Sequence, residues 1–196
     1  MNSSHVPAKA KDLPHIVVLG AGFAGLAFCK SFDSRRARVT VIDRQNHHLF
    51  QPLLYQVATA GLSAVDIAAP VRSILRKKKN LTVLMRTVTA VDLVAKTLTH
   101  DGGTLAFDYL VIGTGGATSY LGRPEWERFA PGLKTLNDAL LIRHRVLTAF
   151  EKAESESDPV KQSILTTIIV IGAGPTGVEL AGTFAELTRT SLNRDF

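Results

Sequence analysis

Short runs of branched apolar residues, each closed by a glycine or an acid, alternate along this chain with stretches whose apolar residues recur at helical spacing. His15 to Leu19 (His-Ile-Val-Val-Leu) stops at a glycine and reads as a strand buried on both faces. Gly25 to Phe32 then carries Leu26, Ala27, Cys29 and Phe32 at helical spacing, and Arg38 to Ile42 is a second β-rich run ending in Asp43. Together they form one strand-helix-strand unit of about 30 residues. From Gln45 to Ala69 the pattern is broken by Pro52 and Gly61, with Pro70 just beyond, and a helix is expected over Asp66 to Arg76. Leu81 to Leu93 is strand-like. Lys96 to His100 and Thr104 to Phe107 flank the turn Asp101-Gly102-Gly103, which predicts a hairpin. Tyr109 to Ile112 is another buried run, expected to rejoin the first sheet. Leu136 to Ala153 predicts a helix, and the polar stretch Glu154 to Gln162, with Pro159 inside it, reads as a linker. After it the opening pattern returns: a β-branched run from Thr166 to Ile171, a glycine turn, and a helix through about Thr190.

The two glycine turns carry the first candidate chemistry. Gly20-Ala21-Gly22-Phe23-Ala24-Gly25 and Gly172-Ala173-Gly174-Pro175-Thr176-Gly177 each follow an apolar strand pattern and open a helical one. In such a turn the first glycine permits the tight bend and the second lets the backbone approach a pyrophosphate. The third allows close helix-to-strand packing, and the phosphate rests on free N–H groups at the positive end of the helix. Three glycines at this spacing are a weak signal alone, because glycine is common and structural turns also use it. Around Gly20 the context is complete, since Asp43 ends the next strand, where an acid accepts hydrogen bonds from ribose hydroxyls. Arg44 is placed to flank the adenine or ribose, or is a plain surface arginine. Pro175 falls near the first turn of its helix, where a missing N–H costs nothing. The acid expected after the second turn is not readable, because Asp195 has no apolar strand before it.

Composition narrows the classes. With 196 residues, 45% of them hydrophobic, the chain can bury a substantial core. Its net charge of +6 permits an anionic partner without choosing one. The densest basic stretch, Arg72, Arg76, Lys77, Lys78 and Lys79, sits at a helix end where cations suit the dipole, and no aromatics are interleaved with it. No nucleic-acid partner is expected. The single cysteine, Cys29, allows neither an intrachain disulfide nor a CxxC redox pair, and reads as a small core residue. The first fourteen residues lack the apolar centre of a signal peptide and are expected to be disordered. No run of about 18 apolar residues is present, so no membrane span is expected.

Two dinucleotide turns with a Thr-Gly turn after a strand between them resemble the two-dinucleotide-domain flavoprotein superfamily. Within it, Gln45-Asn-His-His-Leu-Phe-Gln-Pro-Leu-Leu-Tyr-Gln-Val-Ala58 and Ile171-Gly-Ala-Gly-Pro-Thr-Gly-Val-Glu-Leu-Ala-Gly182 resemble the type II NADH:quinone oxidoreductase family, over nearly the whole chain from His15 onward. The resemblance implies an α/β fold: a Rossmann-like FAD-binding domain with a parallel sheet and a β-hairpin or meander, over 15–155. A linker at 156–163 and the first βα unit of an incomplete NADH-binding domain at 164–196 follow. It implies FAD pyrophosphate at Gly20, Ala21, Gly22, Phe23, Ala24 and Gly25, adenosine ribose at Asp43 and Arg44, and flavin-side contacts at Asn46 and Gln51. The backbone of Val88 is implied to meet the adenine. Thr114 and Gly115 stand in a Gly-Thr-Gly turn where the family usually has Ala-Thr-Gly. NADH is implied at Gly172, Gly174, Pro175, Thr176 and Gly177.

Glu179 matches a glutamate implied to lie where nicotinamide, flavin and quinone meet, although by position alone it is a first-turn carboxylate favoured by the helix dipole. His47 and His48 are adjacent, so in a strand they face opposite ways. Packing or flavin-edge contacts are expected of them, not a metal site. The implied reaction passes a hydride from NADH to the flavin and two electrons to a membrane quinone, without proton pumping. A homodimer and a peripheral place on the cytoplasmic face of a bacterial inner membrane are further implications. The rival readings are a soluble reductase serving a ferredoxin or small oxidant, and a nucleotide-binding remnant without turnover. The family's C-terminal half is not matched in these residues.

Overall fold

A computed structural model describes residues 13–192. The expected disorder of the first residues therefore falls almost wholly outside the described residues, as does Asp195. By internal packing the chain divides into two units. The first takes the chain up to His48 together with Ala69–Gly116; the second takes Leu49–Ala68 and the chain from Ala117 onward.

The first unit is built on a four-stranded parallel sheet. β1 (His15–Leu19) lies between β2 (Arg38–Asp43) and β9 (Tyr109–Ile112), with β5 (Leu81–Met85) outside β2. β1 is an inner strand whose apolar side chains are covered on both faces: Val17 and Val18 are fully buried, as are Val41 and Ile42 beside them. Helix α1 (Phe23–Ser31) packs Leu26 and Cys29 against Ile16, Val18, Val39 and Val41, and α4 (Val71–Leu75) adds Val71 and Leu75 to the same cluster. Burial pushes the Cys29 thiol up to about 11, which leaves it an inert apolar group at neutral pH. On the opposite side an antiparallel meander, β6 (Val88–Asp92), β7 (Thr97–His100) and β8 (Gly103–Ala106), seats Leu98, Leu105 and nearby Phe107 against Val17 and Ile42. The expected hairpin and the return of Tyr109–Ile112 to the first sheet are thus both present.

Lys78 gives the basic stretch a local role. Its ammonium donates to the carbonyls of Lys30 and Phe32, at 2.5 and 3.0 Å, and so caps the C-terminal end of α1. The helix expected over Asp66 to Arg76 is two short ones, α3 (Ala64–Ile67) and α4, separated by β4 (Ala68–Pro70). Pro70 explains the break, since it lacks an N–H and disfavours helical geometry in the residue before it.

The second unit is helical. α2 (Leu54–Ala58) and α3 bury Leu54, Val57, Ala58 and Ile67 with Ala139 of α5 (Leu136–Glu154), and Leu180 of α7 (Pro175–Leu187) packs on the same cluster. α5 begins with a capping box, Thr135 and Asp138 each bonding the other's backbone N–H. Where a linker was expected, α6 (Pro159–Thr166) forms instead, nucleated by Asp158 as N-cap and Pro159 at the first helical position. The expected strand Thr166–Ile171 is not formed: residues 167–171 follow α6 without joining any strand among the described residues. Ile169 and Ile171 are about 80% exposed, as a buried-strand sequence must be when no neighbouring strand covers it. The domain boundaries expected from the sequence stand as a proposal.

Candidate functional site

The first glycine turn joins β1 to α1 at the carboxyl end of the parallel sheet. Gly20 has φ +101°, a conformation open to glycine, and its N–H donates to Ile42 O at 2.8 Å. A Cβ on Gly20 would collide with the Gly113 carbonyl oxygen, and a Cβ on Gly25 would collide with the Gly20 carbonyl oxygen. Both glycines are therefore required by backbone packing alone. Gly22 differs, because a Cβ there would meet only Gly113 O, at an ordinary 3.9 Å. Protein atoms do not demand glycine at 22, and the space beside it is what a pyrophosphate needs for close approach to the backbone. Gly22 is also the N-cap of α1 and has no side chain to satisfy the first amides of the helix.

Three further segments of this unit surround the turn. Gly113 follows β9, and its N–H donates to Leu19 O at 2.8 Å, which brings the Gly113-Thr114-Gly115 turn against Gly20. Thr114 and Gly115 are exposed, and Gly115 has φ +72°. Asp43 ends β2 with its Oδ2 taking the Ala21 N–H at 2.6 Å and its Oδ1 taking the Gln45 N–H at 2.8 Å. Both oxygens are thereby oriented while the carboxylate stays only half-buried, with lone pairs left for a ribose. Arg44 and Asn46 are exposed beyond it. Met85, the last residue of β5, is in register with Asp43, and Val88 opens β6 three residues later, packed against the cluster around Val17 and Ile42. The first turn, Asp43, Asn46, Val88 and the Thr-Gly turn thus all belong to one unit.

His48, expected to make packing or flavin-edge contacts, also meets the backbone of the first turn. Its Nδ1 lies 3.2 Å from Ala21 O, and its ring meets Phe23 edge-on with centroids 4.9 Å apart. No feature of the sequence signals this contact, which joins residues 27 positions apart. His47 faces its neighbour Asn46, Nδ1 to Oδ1 at 3.2 Å.

The remaining candidates lie in the second unit. Gln51, in a short 3-10 turn, donates from Nε2 to Lys134 O at 3.2 Å. The second glycine turn repeats the backbone of the first: Gly172 has φ +105°, Gly174 is the N-cap of α7, and a Cβ on Gly177 would collide with Gly172 O. A Cβ on Gly174 would meet nothing within 4 Å. Pro175 occupies the first turn of α7 as expected, and Thr176 and Glu179 are exposed.

Comparison with known proteins identifies a family and a fold. The family model described as pyridine nucleotide-disulphide oxidoreductase matches residues 14–192. Two Mycobacterium tuberculosis proteins, the type II NADH:quinone oxidoreductases Ndh and NdhA, are 45% and 44% identical over 92% and 97% of this chain. The chain spans 40% and 41% of their lengths. A solved structure of Plasmodium falciparum NDH2 in complex with NADH is similar at a TM-score of 0.82 with 26% identity, over 93% of this chain and 39% of that one. The resemblance seen in the two motif stretches is therefore shared by whole-length alignment of the chain.

Proposed function

The chain belongs to the pyridine nucleotide-disulphide oxidoreductase family, and from that premise we propose that it is the flavin-holding part of an FAD-dependent NADH:quinone oxidoreductase. The observation that carries this reading is the first glycine turn with Asp43: two glycines fixed by packing, and a third left open on the ligand side. When bound, the flavin would supply the redox chemistry of that activity, hydride acceptance from NADH and two-electron, two-proton reduction of a quinone to a quinol.

The residues of this chain bind and orient. The Gly20 and Ala21 amides are spent on Ile42 O and Asp43, so the turn through Gly25 offers the pyrophosphate the Gly22 amide and the α1 dipole, and Asp43, already oriented by two amides, takes the ribose hydroxyls, with Arg44 beside it. Asn46 and Gln51 keep the flavin-side contacts the resemblance gives them, and the Val88 backbone keeps the adenine. Gly113 and the Thr114 nitrogen lie against Gly20, and Thr114 and Gly115 complete the cofactor-binding turn. In the second unit Gly172, Gly174, Pro175, Thr176 and Gly177 hold the pyrophosphate of NADH, and Glu179 approaches the nicotinamide. Peripheral attachment to the cytoplasmic face of a bacterial inner membrane, and a homodimer, complete the proposal. No helix among the described residues is long and apolar enough to cross a membrane.

Purified chain mixed with FAD, freed of excess flavin and exposed to NADH without oxygen tests the reading. Retained flavin colour that bleaches with NADH is expected. A chain that takes up ADP but no FAD would point instead to a nucleotide-binding module without turnover.

A further inference from the structure

The two peptide groups that flank the Ala21 α-carbon are each held by a side chain from a different strand. Asp43 takes the Ala21 N–H, and His48 of β3 (His47–Leu49) faces the Ala21 carbonyl oxygen through Nδ1 at 3.2 Å. A carbonyl oxygen only accepts, so Nδ1 carries the hydrogen of this bond and His48, when neutral, is the Nδ1–H tautomer. The ring plane is set by the edge-on contact with Phe23, 83° between planes. All of these residues lie in the first unit.

In a trans peptide the C=O and N–H point in opposite directions, and no peptide bond described is cis. Holding the Ala21 carbonyl toward His48 therefore turns the Gly22 N–H away from His48. This matters at Gly22 more than elsewhere. A Cβ at Gly22 would meet only Gly113 O, at 3.9 Å, and the residue's own hydrogen bond, from Leu26 N–H at 3.0 Å, holds its carbonyl, so neither fixes the direction of its amide. We propose that His48 is a positioning residue for the dinucleotide: its Nδ1–H bond to Ala21 O fixes the Gly22 amide to face the pyrophosphate. The inference rests on the reading of this turn as the FAD site. The role needs no contact between His48 and a reacting atom, since it acts through the Ala21-Gly22 peptide. The second turn has no counterpart, since no side chain among the described residues bonds Ala173.

Three substitutions in the full 196-residue chain separate this role from simple packing. His48→Asn places an amide donor where Nδ1 stands, His48→Gln places it one atom further out, and His48→Ala removes it. In titrations followed by flavin fluorescence, His48→Asn is expected within about threefold of the wild-type affinity, and the other two about tenfold weaker. If His48→Ala binds FAD as tightly as wild type, or if the Asn and Gln variants weaken equally, the positioning role is overturned while the FAD site stands. A wild-type chain that takes up no FAD overturns the site reading and, with it, the role toward the pyrophosphate. Independently of flavin, nitrogen NMR of the His48 ring should show hydrogen on Nδ1; a neutral ring carrying it on Nε2 overturns the clamp itself.

Discussion

The two glycine turns of this chain have nearly the same backbone and very different surroundings. Their first glycines sit at φ +101° and +105°, their third glycines press on the carbonyl of the first, and each middle glycine caps a helix. The Gly20 turn, however, leaves the central strand of a parallel sheet and is tied by Asp43, His48 and Gly113. The Gly172 turn leaves a segment with no strand partner among the described residues and no acid on its backbone. Turn geometry is therefore set locally by glycine spacing, whereas a site requires neighbours that the turn cannot supply.

The largest contrast is expected when the third glycine of each turn gains a methyl group. Gly25→Ala forces a Cβ against Gly20 O in a turn that cannot shift, because Gly20 is wedged against Gly113. A loss of about 3 kcal/mol is expected from urea unfolding. Gly177→Ala makes the same collision beside an exposed segment free to yield, and should cost less than about 1 kcal/mol. Equal losses would mean that the second turn is as firmly seated as the first.

The same division explains what could be read from the residues alone. His15–Leu19 and Tyr109–Ile112 are legible to the residue as short apolar runs closed by glycine, but only the first is buried between two parallel neighbours; Tyr109–Ile112, expected to be buried, is an edge strand of the sheet, with Tyr109 62% and Ile112 65% exposed. Thr166 to Ile171 has the same signature and forms no strand, since strand pairing is a tertiary property that the run cannot encode. Pro159 has the composition of a linker around it and yet starts a helix, because Asp158 before it supplies the cap. Gly20, Gly25 and Asp43 were readable by spacing, but the His48 contact to Ala21 depends on where β3 passes in space.

Core substitutions sharpen the comparison at the strands themselves. Val18 is fully buried in β1, and Val18→Ala should cost about 2 kcal/mol through lost contacts and a residual cavity. Ile169 is 81% exposed, and Ile169→Ala should move stability by less than about 0.5 kcal/mol. A large effect at Ile169 would show that its segment is covered in solution.

Asp43 measures what the acid adds to the first turn. Asp43→Asn keeps the shape but points an amide group at one of two backbone N–H groups, Ala21 or Gln45, leaving that donor without an acceptor. About 1.5 kcal/mol of stability should be lost, and FAD should bind more weakly as well. If stability falls but affinity for FAD does not, Asp43 orders the turn without touching the ribose.

The smallest expected effect separates the strands by pH. His15, at the start of β1, is buried, with Nδ1 2.8 Å from Ala106 O and Nε2 2.8 Å from Thr40 Oγ1. The Ala106 carbonyl can only accept, so Nδ1 carries the hydrogen, and the Thr40 hydroxyl donates to Nε2 of the neutral ring. Burial, aided by the nearby Arg38 charge, holds this imidazole below the ordinary 6.5, although the Ala106 bond and Asp108 oppose the shift. Below pH 6.5 the unfolded chain binds a proton that the folded chain refuses, so the contribution of His15 is complete above that value. It declines as the pH falls toward the lower folded value. The corresponding residue before the second turn, Thr167, does not titrate. Urea midpoints measured between pH 5 and 8 should therefore fall on the acid side in the wild type and fall less steeply in His15→Gln, while Thr167→Val leaves the profile's shape unchanged. Parallel profiles for wild type and His15→Gln would place the acid sensitivity elsewhere in the chain.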